Sequence, residues 1–392
     1  MRPLRHTALL LKAETLADPA IYIETCPAQD EPVEPEAGEC IRPSGTGWHA
    51  QFALAIKIRK FDELVKRKWG FDFSALLNEV LDRQRLFIES QHFPGEPRVQ
   101  PPENRTLSLR FIHDAIGRRI RPYLIIKVQA GDREAALELA SETWQEMTSI
   151  FPYDYILEPV PDRAAFLKAS GWDWICESND TDSFLEIDRY EGVMSTGQEM
   201  LYLLGSWKES MIGNEQIWRT LAGANQLILI NILLRPVVLY DYEVAILKSI
   251  ADHAETLDKE TVHPAYLPYI DCAVENYRRM AANLRHPYLI RIHLASAQAI
   301  PDYVPRTIGH ALTHTDKPGV DTPDYQVVSP SSAEELSAWK QLLLWLEPEA
   351  FSPIGYDARF SRLRNLVDAQ EAVSLFRLPF PPQDGIPGVT FI

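Results

Sequence analysis

The chain has 392 residues, of which 46% are apolar and 24% charged, and its formal net charge is -16 at pH 7. This composition is typical of a soluble globular protein, and the length permits two or three domains. The negative charge argues against a broad phosphate-binding surface, although a local basic patch stays compatible with it.

The cysteines and the apolar runs predict a compartment. Neither a zinc site nor a small disulfide framework fits the spacing of Cys26, Cys40, Cys176 and Cys272. The most apolar region, residues 227–240, is interrupted by Asn231, Arg235 and Pro236 and is too short to span a bilayer. The first apolar run is too short for a signal peptide. We therefore expect a cytoplasmic protein with reduced thiols and no membrane span.

Residues 1–103 are predicted to form an N-terminal α/β region. A loop rich in proline, glutamate and glycine (26–47) precedes a strand at 50–58. Two helices follow, at 61–69 and at Phe73–Glu89. A proline-rich linker, residues 93–104, then leads to the next region.

Residues 104–330 are predicted to contain a duplication. The run Pro-Tyr-Leu-Ile begins at both Pro122 and Pro287, and alternating apolar and polar residues typical of a strand follow it. Each copy has the order strand, strand, helix, strand. In the first copy these elements are expected at 106–112, 121–130, 133–150 and 152–159. In the second copy they are expected at 227–234, 285–295, 304–313 and 323–328. This order predicts an α+β fold: duplicated strand–strand–helix–strand units that form a ferredoxin-like sheet with helices on one face. The alternative is chance similarity of a short run.

The remaining elements are mostly helical predictions. Residues 195–224 are expected to be helical with breaks at three glycines. A helical insertion is expected at 242–284 of the second copy, with one helix at 242–257 and another at 265–284. Residues 331–392 are predicted to contain a helix at 334–346, an amphipathic helix at 357–372 and a proline-rich tether. After the tether, residues 389–392 are expected to have nothing to pair with.

The sequence contains no catalytic motif that we can assign. It has no GxxxxGK[ST] phosphate loop, no GxGxxG and no GxSxG. His310 and His314 have a spacing that suits a metal on a helix, but no third ligand is evident, and a surface pair is the simpler interpretation. A solvated loop is the interpretation favoured for the acidic residues Asp180, Asp182, Glu186 and Asp188. We predict no catalytic, cofactor-binding or metal-binding residue in this chain.

Two groups of basic residues remain as candidates for binding. Arg118, Arg119 and Arg121 are expected in a turn between strands, where solvated side chains are the simpler explanation. The partner-binding residues that we predict lie on the terminal helix and at its exit: Arg359, Arg362, Arg364, Phe376, Arg377 and Leu378. A solvated helix face is the simpler explanation for the arginines among them.

The tail carries a resemblance to a known family. Residues 369–382, AQEAVSLFRLPFPP, followed by Gly385-Ile-Pro-Gly, resemble the segment just upstream of the motor domain in DNA-translocating ATPases of the HerA/FtsK superfamily. That superfamily includes relatives of the conjugative type IV secretion ATPases. The runs that begin at Leu233 and Pro287 are similar to strands of the family's N-terminal region.

The motor domain itself is absent, so no phosphate-binding, metal-binding or arginine-finger residue of the family can be placed on this chain. The resemblance implies an N-terminal docking or assembly module that associates with a motor, either a continuation of this chain or a separate subunit. It implies ATP and Mg only for that motor, and an oligomer that would be hexameric if it follows the motor ring.

Three hypotheses for function follow. The first is a non-catalytic docking module of a HerA-like ATPase system in DNA transfer, processing, conjugation or phage defence. Its partner would be a P-loop ATPase, its contact with DNA indirect, and the insertion at 242–284 its surface for partner choice. The second is a stand-alone metal-dependent hydrolase or nuclease whose residues converge only in the fold. The third is a scaffold without a link to nucleotides.

Overall fold

The computed structural model describes residues 9–11, 21–25, 48–60, 73–92, 105–195, 200–207, 213–239, 241–256, 286–313, 325–347, 363–380 and 388–390, with four single residues between 267 and 278. The expected helix at 61–69 lies outside the described residues. So does the expected helix at 265–284, apart from those four residues, which are helical.

The first half of the described chain contributes the elements β1 (Leu9–Leu11), β2 (Ile21–Thr25), β3 (Trp48–Ile58), α1 (Phe73–Glu89), β4 (Arg105–Asp114), β5 (Arg119–Ala130), α2 (Arg133–Ile150), β6 (Tyr155–Pro159), α3 (Arg163–Ser170) and α4 (Trp172–Ile175). The second half contributes β7 (Phe184–Arg189), β8 (Glu191–Ser195), β9 (Met200–Leu204), α5 (Gly213–Ala222), β10 (Ile228–Pro236), α6 (Asp241–Thr256), β11 (Tyr288–Ser296), α7 (Tyr303–Thr313), β12 (Tyr325–Val328), α8 (Ala333–Trp345), β13 (Leu366–Val367) and α9 (Ala369–Leu375).

One antiparallel sheet dominates the molecule. Within the described residues it has eleven strands, nine of them in the order β1-β2-β3-β5-β4-β10-β11-β7-β12, with β6 beside β3 and β13 beside β11. β8 and β9 form a separate hairpin. The three regions expected from the sequence all contribute strands to this sheet, since β3, β4 and β13 come from different regions.

Two copies of one unit form the centre of the sheet. The first unit has the strand order β6-β3-β5-β4, and the second has the order β12-β7-β11-β10. Each unit runs strand, helix, two neighbouring strands, helix, strand, with the last strand beside the first, which is the ferredoxin-like arrangement. The predicted duplication is therefore confirmed, and it also includes β3 and β7 as first strands.

The two units join edge to edge. β4 and β10 pair antiparallel, from Leu107 opposite Leu234 to His113 opposite Ile228. Because the central strands are covered on both faces, their polar residues are buried as well as their apolar ones. Alternate residues of β4 show the two faces: Leu107 and Leu109 enter the main core, whereas Ser108 and Arg110 lie on the opposite side.

The helices of both units lie on one face, as predicted. Residues of α1, α2, α5, α7 and α9 share the main apolar cluster with this face of the sheet. α2 shows why it forms there: Asp132 caps its N-terminus by accepting from the Ala135 amide, and Ala136, Ala140 and Met147 form its buried stripe. The opposite face is covered by α3, α4 and α8, which the sequence did not indicate.

Hydrogen bonds from the sheet hold the C-terminus of α8 in place. The last carbonyls of a helix have no partner within the helix, and they carry the negative end of its dipole. Strand side chains supply the donors: Arg110 to the Leu343 carbonyl, Gln51 to that of Leu344 and Lys127 to that of Trp345. The C-terminus of α8 is thereby anchored over the second face of the sheet.

Two secondary-structure predictions were wrong. Residues 191–195 and 200–204 pair as the β8–β9 hairpin, so among the described residues the expected helix at 195–224 is limited to α5. The apolar run at 200–204 fits a strand as well as a helix, and periodicity cannot separate them over five residues. In the expected helix at 357–372, Leu366 and Val367 instead pair with β11, and α9 begins only after its cap, Asp368.

The end of the tail is also paired, against expectation. Val389 forms a single parallel bridge with Ile120, and the Ile120 amide donates to the Gly388 carbonyl at 2.8 Å. This places residues 388–390 at the base of the turn between β4 and β5.

Candidate functional site

The predicted partner-binding residues have mostly internal positions. Arg359 and Arg362 lie outside the described residues. The other four have side chains that are at most 5% exposed: Arg364, Phe376, Arg377 and Leu378. These four cannot present an exposed partner surface in this structure, because the rest of the chain covers them. Their role in partner binding stays a prediction, and within this structure they anchor the tail.

The segment 363–380, which we call the C-terminal strap, crosses the helical face. It starts beside β11 through β13, and α9 then packs against α1 of the first unit. Its exit is held by hydrogen bonds: the Leu378 amide donates to Gln84 Oε1, and the Tyr155 hydroxyl donates to the Pro379 carbonyl, each at 3.2 Å. The strap thus connects the second unit to the first.

The strap fills the seam between the units. Leu375 and Arg377 line a void together with Phe111 of β4, Trp218 of α5 and Leu312 of α7. The void measures about 10 Å³, which is at the lower limit of the volume that one water requires. The packing between the strap and both units is therefore close.

Buried charges hold the start of the strap. Arg364 Nη2 lies 3.2 Å from Asp188 Oδ2, and both side chains are nearly fully buried. Arg189 donates through Nε to the Arg364 carbonyl at 2.7 Å and also to the Leu366 carbonyl. Arg189 further lies 3.6 Å from Glu371 of α9. The last two positions of β7 therefore bind the strap on both faces of the sheet.

A second buried pair lies beside this anchor. Arg291 donates to both carboxylate oxygens of Glu186, at 2.6 and 2.5 Å, and each side chain is 1% exposed. Burial acts to raise the pKa of Glu186, but the Arg291 guanidinium outweighs it and lowers that pKa overall. The pKa of Arg291 is raised in turn, since Glu186 outweighs the effect of burial. Both groups are therefore ionised at neutral pH.

The second face of the sheet has a continuous polar row across four strands. Arg110, Asn231, His293 and Glu186 are successive register partners on β4, β10, β11 and β7. Arg110 Nε donates to Asn231 Oδ1 at 3.0 Å, and Asn231 Nδ2 lies 3.3 Å from His293 Nδ1. Burial, followed by the charge of Arg291, lowers the pKa of His293, so the ring is neutral. This row links the two units.

The acidic residues interpreted as a solvated loop divide into two pairs. Asp180 and Asp182 are exposed around a short 3-10 turn. Glu186 and Asp188 are instead buried in β7, because alternate positions of this strand face the arginines described above. The loop interpretation was therefore wrong for Glu186 and Asp188.

The described residues offer no metal centre. No three histidine, cysteine, aspartate or glutamate side chains among them are placed to share an ion. His310 is exposed and packs edge-on against the Tyr325 ring, while His314 lies outside the described residues. A cleft of about 190 Å³ lies between the loop after α4 and α8. Its lining includes Lys340, which donates to the Ser178 carbonyl.

Two charged residues that hold the C-terminal strap were not predicted from the sequence. Arg189 and Glu371 were not singled out, although one signal for Arg189 was present. A charged residue at the end of a strand that is covered on both faces needs a buried partner. The identity of that partner is not encoded locally, since Glu371 lies on α9.

No helix within the described ranges combines the length and apolar character needed to cross a membrane. No family model matches the chain, and no curated protein is significantly similar to it.

Proposed function

We propose that this chain is a non-catalytic docking and assembly module of a HerA-like P-loop ATPase system, working in the cytoplasm on DNA transfer, processing or phage defence. The observation that carries the proposal is the anchoring of the C-terminal strap. The C-terminal strap includes the segment that resembles the region just upstream of a translocase motor domain. It runs along the sheet that the two units share, and buried ion pairs hold it there.

A C-terminal strap that is fixed to both units is suited to couple them mechanically to a motor. A flexible tether would allow an attached or associated motor to move independently of the module. Here the strap is tied to β7, to β11, to α1 and to Tyr155. Displacement of a motor at the strap's exit would therefore be transmitted to both units of the sheet.

The helical insertion is the surface that we propose for partner choice. α6, its described helix, contacts β9 of the separate hairpin. A partner could contact this surface without disturbing the sheet that holds the strap.

Binding is tested by co-expression with a GxxxxGK[ST] ATPase encoded beside this chain. We expect the two proteins to co-elute on size exclusion and the ATPase rate with DNA to change when the module is present. Separate elution of the two, or ATP hydrolysis by the purified module alone, would contradict the proposal.

Coupling is tested with Asp188→Asn, which weakens the buried contact to Arg364. Its matched control is Asp302→Asn, since Asp302 is 90% exposed and lies 3.7 Å from Arg306. We expect Asp188→Asn to reduce the effect of the module on ATPase rate while co-elution persists, and the control to behave as the wild type. Circular dichroism confirms that each variant is folded.

A further inference from the structure

The turn between β4 and β5 presents an apolar tip with basic neighbours. Ile116 is 99% exposed, the highest value among the large exposed hydrophobic residues of the described chain. Arg118 and Arg119 are also exposed and follow it after Gly117. An isolated exposed apolar residue is ordinary, but an isoleucine beside two guanidinium groups has the composition of an interface anchor.

The tip is held in one conformation. Asp114 Oδ1 accepts from the amides of Ile116 at 3.0 Å and of Gly117 at 3.3 Å. Arg118 has a φ of 45°, a left-handed conformation that few non-glycine residues adopt. The Gly388 carbonyl accepts from Ile120 at the base of the turn. A preorganised tip loses little conformational entropy when it binds.

The charge of the chain indicates the partner. A total of -16 disfavours approach to DNA, whose phosphates repel an acidic protein. The two guanidinium groups of the tip, rather than the net charge, favour contact with a local acidic surface on a protein. The chain itself carries such a surface.

That surface is a row of glutamates on α2. Glu134, Glu138 and Glu142 recur at four-residue spacing, all three are exposed, and none makes an ion pair within the described part of the chain. Like charges at this spacing destabilise a helix, and a cationic partner relieves that repulsion. Leu137 and Leu139, both half-buried, offer apolar surface near the row.

The tip and the glutamate row cannot meet within one copy. β5 runs from the tip at Arg119 to Ala130 at the far end of the sheet, and α2 begins there. The first glutamates of the row therefore lie at the opposite end from the tip. We propose that the β4–β5 tip of one copy docks on the α2 glutamate row of a second copy, in a head-to-tail contact. Repeated contacts of this kind produce rings or filaments, and they require no ATPase.

The first test is sedimentation velocity of the purified chain over a range of concentrations and salt. We expect reversible self-association that weakens as salt increases, because exposed charge pairs are screened. Ile116→Ser is expected to weaken association about tenfold or more. Leu86→Ser is the control, since Leu86 is another exposed apolar residue, on α1, and it should not change association. A wild type that is monomeric at every concentration, or equal effects of the two variants, would overturn the proposal.

The second test uses charge reversal. Arg118→Glu with Arg119→Glu, and separately Glu134→Lys with Glu138→Lys and Glu142→Lys, should each abolish self-association. Mixing the two variant proteins should restore it, because each tip then meets a complementary row. Failure of the mixture to associate would overturn the proposal. So would binding of a labelled DNA duplex that requires Arg118 and Arg119 without any self-association, because it would assign the tip to nucleic acid.

Discussion

Two buried arginines in the sheet are stabilised by different means. Arg291 has the carboxylate of Glu186, whereas Arg110 has hydrogen-bond acceptors that include Asn231 and the carbonyls of Ser170 and Leu343. Burial without a facing carboxylate lowers the pKa of Arg110 to about 9. The two sites therefore respond differently to substitution, because a carboxylate faces the charge of Arg291 and none faces that of Arg110.

The variant Glu186→Gln would remove the carboxylate to which the buried Arg291 guanidinium donates two hydrogen bonds. We expect a loss of about 3–5 kcal/mol in the free energy of unfolding, measured by urea denaturation. The control is Glu215→Gln, which removes a partly exposed partner of Arg219 on α5 and should cost about 0.2–0.5 kcal/mol. Equal losses in the two variants would show that the Glu186 pair is not the buried contact described here.

Individual buried residues also determine how the stability of the fold depends on pH. Burial, with a smaller effect of the Lys127 charge, lowers the pKa of His49 from 6.5 to about 3. The unfolded chain consequently binds more protons than the folded chain between these values, so stability decreases as pH falls below 6.5. The lowered pKa of Glu186 acts in the same direction at lower pH, because protonation of its carboxylate removes its contribution.

The variant His49→Phe keeps a ring of similar shape but cannot take up a proton. Between pH 7 and pH 4, we expect the free energy of unfolding of the variant to decrease by about 2–3 kcal/mol less than that of the wild type. His310→Phe is the control, because His310 is exposed, and its pH profile should follow the wild type. A His49→Phe profile parallel to that of the wild type would contradict the burial of His49.

At the scale of elements, local patterns predicted the regular helices well. α1 and α2 have the predicted bounds, because each shows a clear 3.6-residue apolar period. The strap was predicted poorly for a physical reason. Leu366 and Val367 have helical spacing with their neighbours, but pairing with β11 and burial of Arg364 favour extended backbone there. Tertiary contacts decided those residues.

The contact between α7 and β12 gives an element-scale prediction. A Cβ added at Gly309 of α7 would lie 2.3 Å from ring atoms of Tyr325 on β12. Alanine normally stabilises a helix relative to glycine, but here we expect Gly309→Ala to destabilise by about 1–3 kcal/mol in thermal or urea unfolding.

Two controls separate the steric cause from helix propensity. At Gly223 the nearest atom to an added Cβ is the Arg219 carbonyl oxygen at 3.4 Å, so Gly223→Ala should change stability by less than about 0.5 kcal/mol. In a Tyr325→Ala background, Gly309→Ala should no longer destabilise. Destabilisation that persists without the Tyr325 ring would exclude this contact as the cause.

For the whole molecule, the seam is the decisive feature. β4 and β10 pair over their length, the polar row crosses them, and the strap packs above them. Two units connected in this way should unfold as one cooperative body. They differ in this from domains joined by a linker, which unfold separately.

Hydrogen exchange measures that cooperativity. Gly309→Ala lies in the second unit. We nevertheless expect it to lower the free energy of exchange protection equally in β5 of the first unit and in β11 of the second. The measurement compares peptides from both strands in the variant and the wild type. Lower protection confined to β11 would show that the units open independently.

The sequence by itself determined the fold class, the duplicated order of elements and most helix bounds. Apolar periodicity and capping residues act over a few positions, so they can be read locally. Only the tertiary structure decided which charges are buried, how the strap is held and where the predicted binding residues lie. Glu186 and Arg291 are 105 residues apart, and no local pattern connects them. Their pairing depends on strand order, because neighbouring strands in a sheet need not be neighbours in sequence.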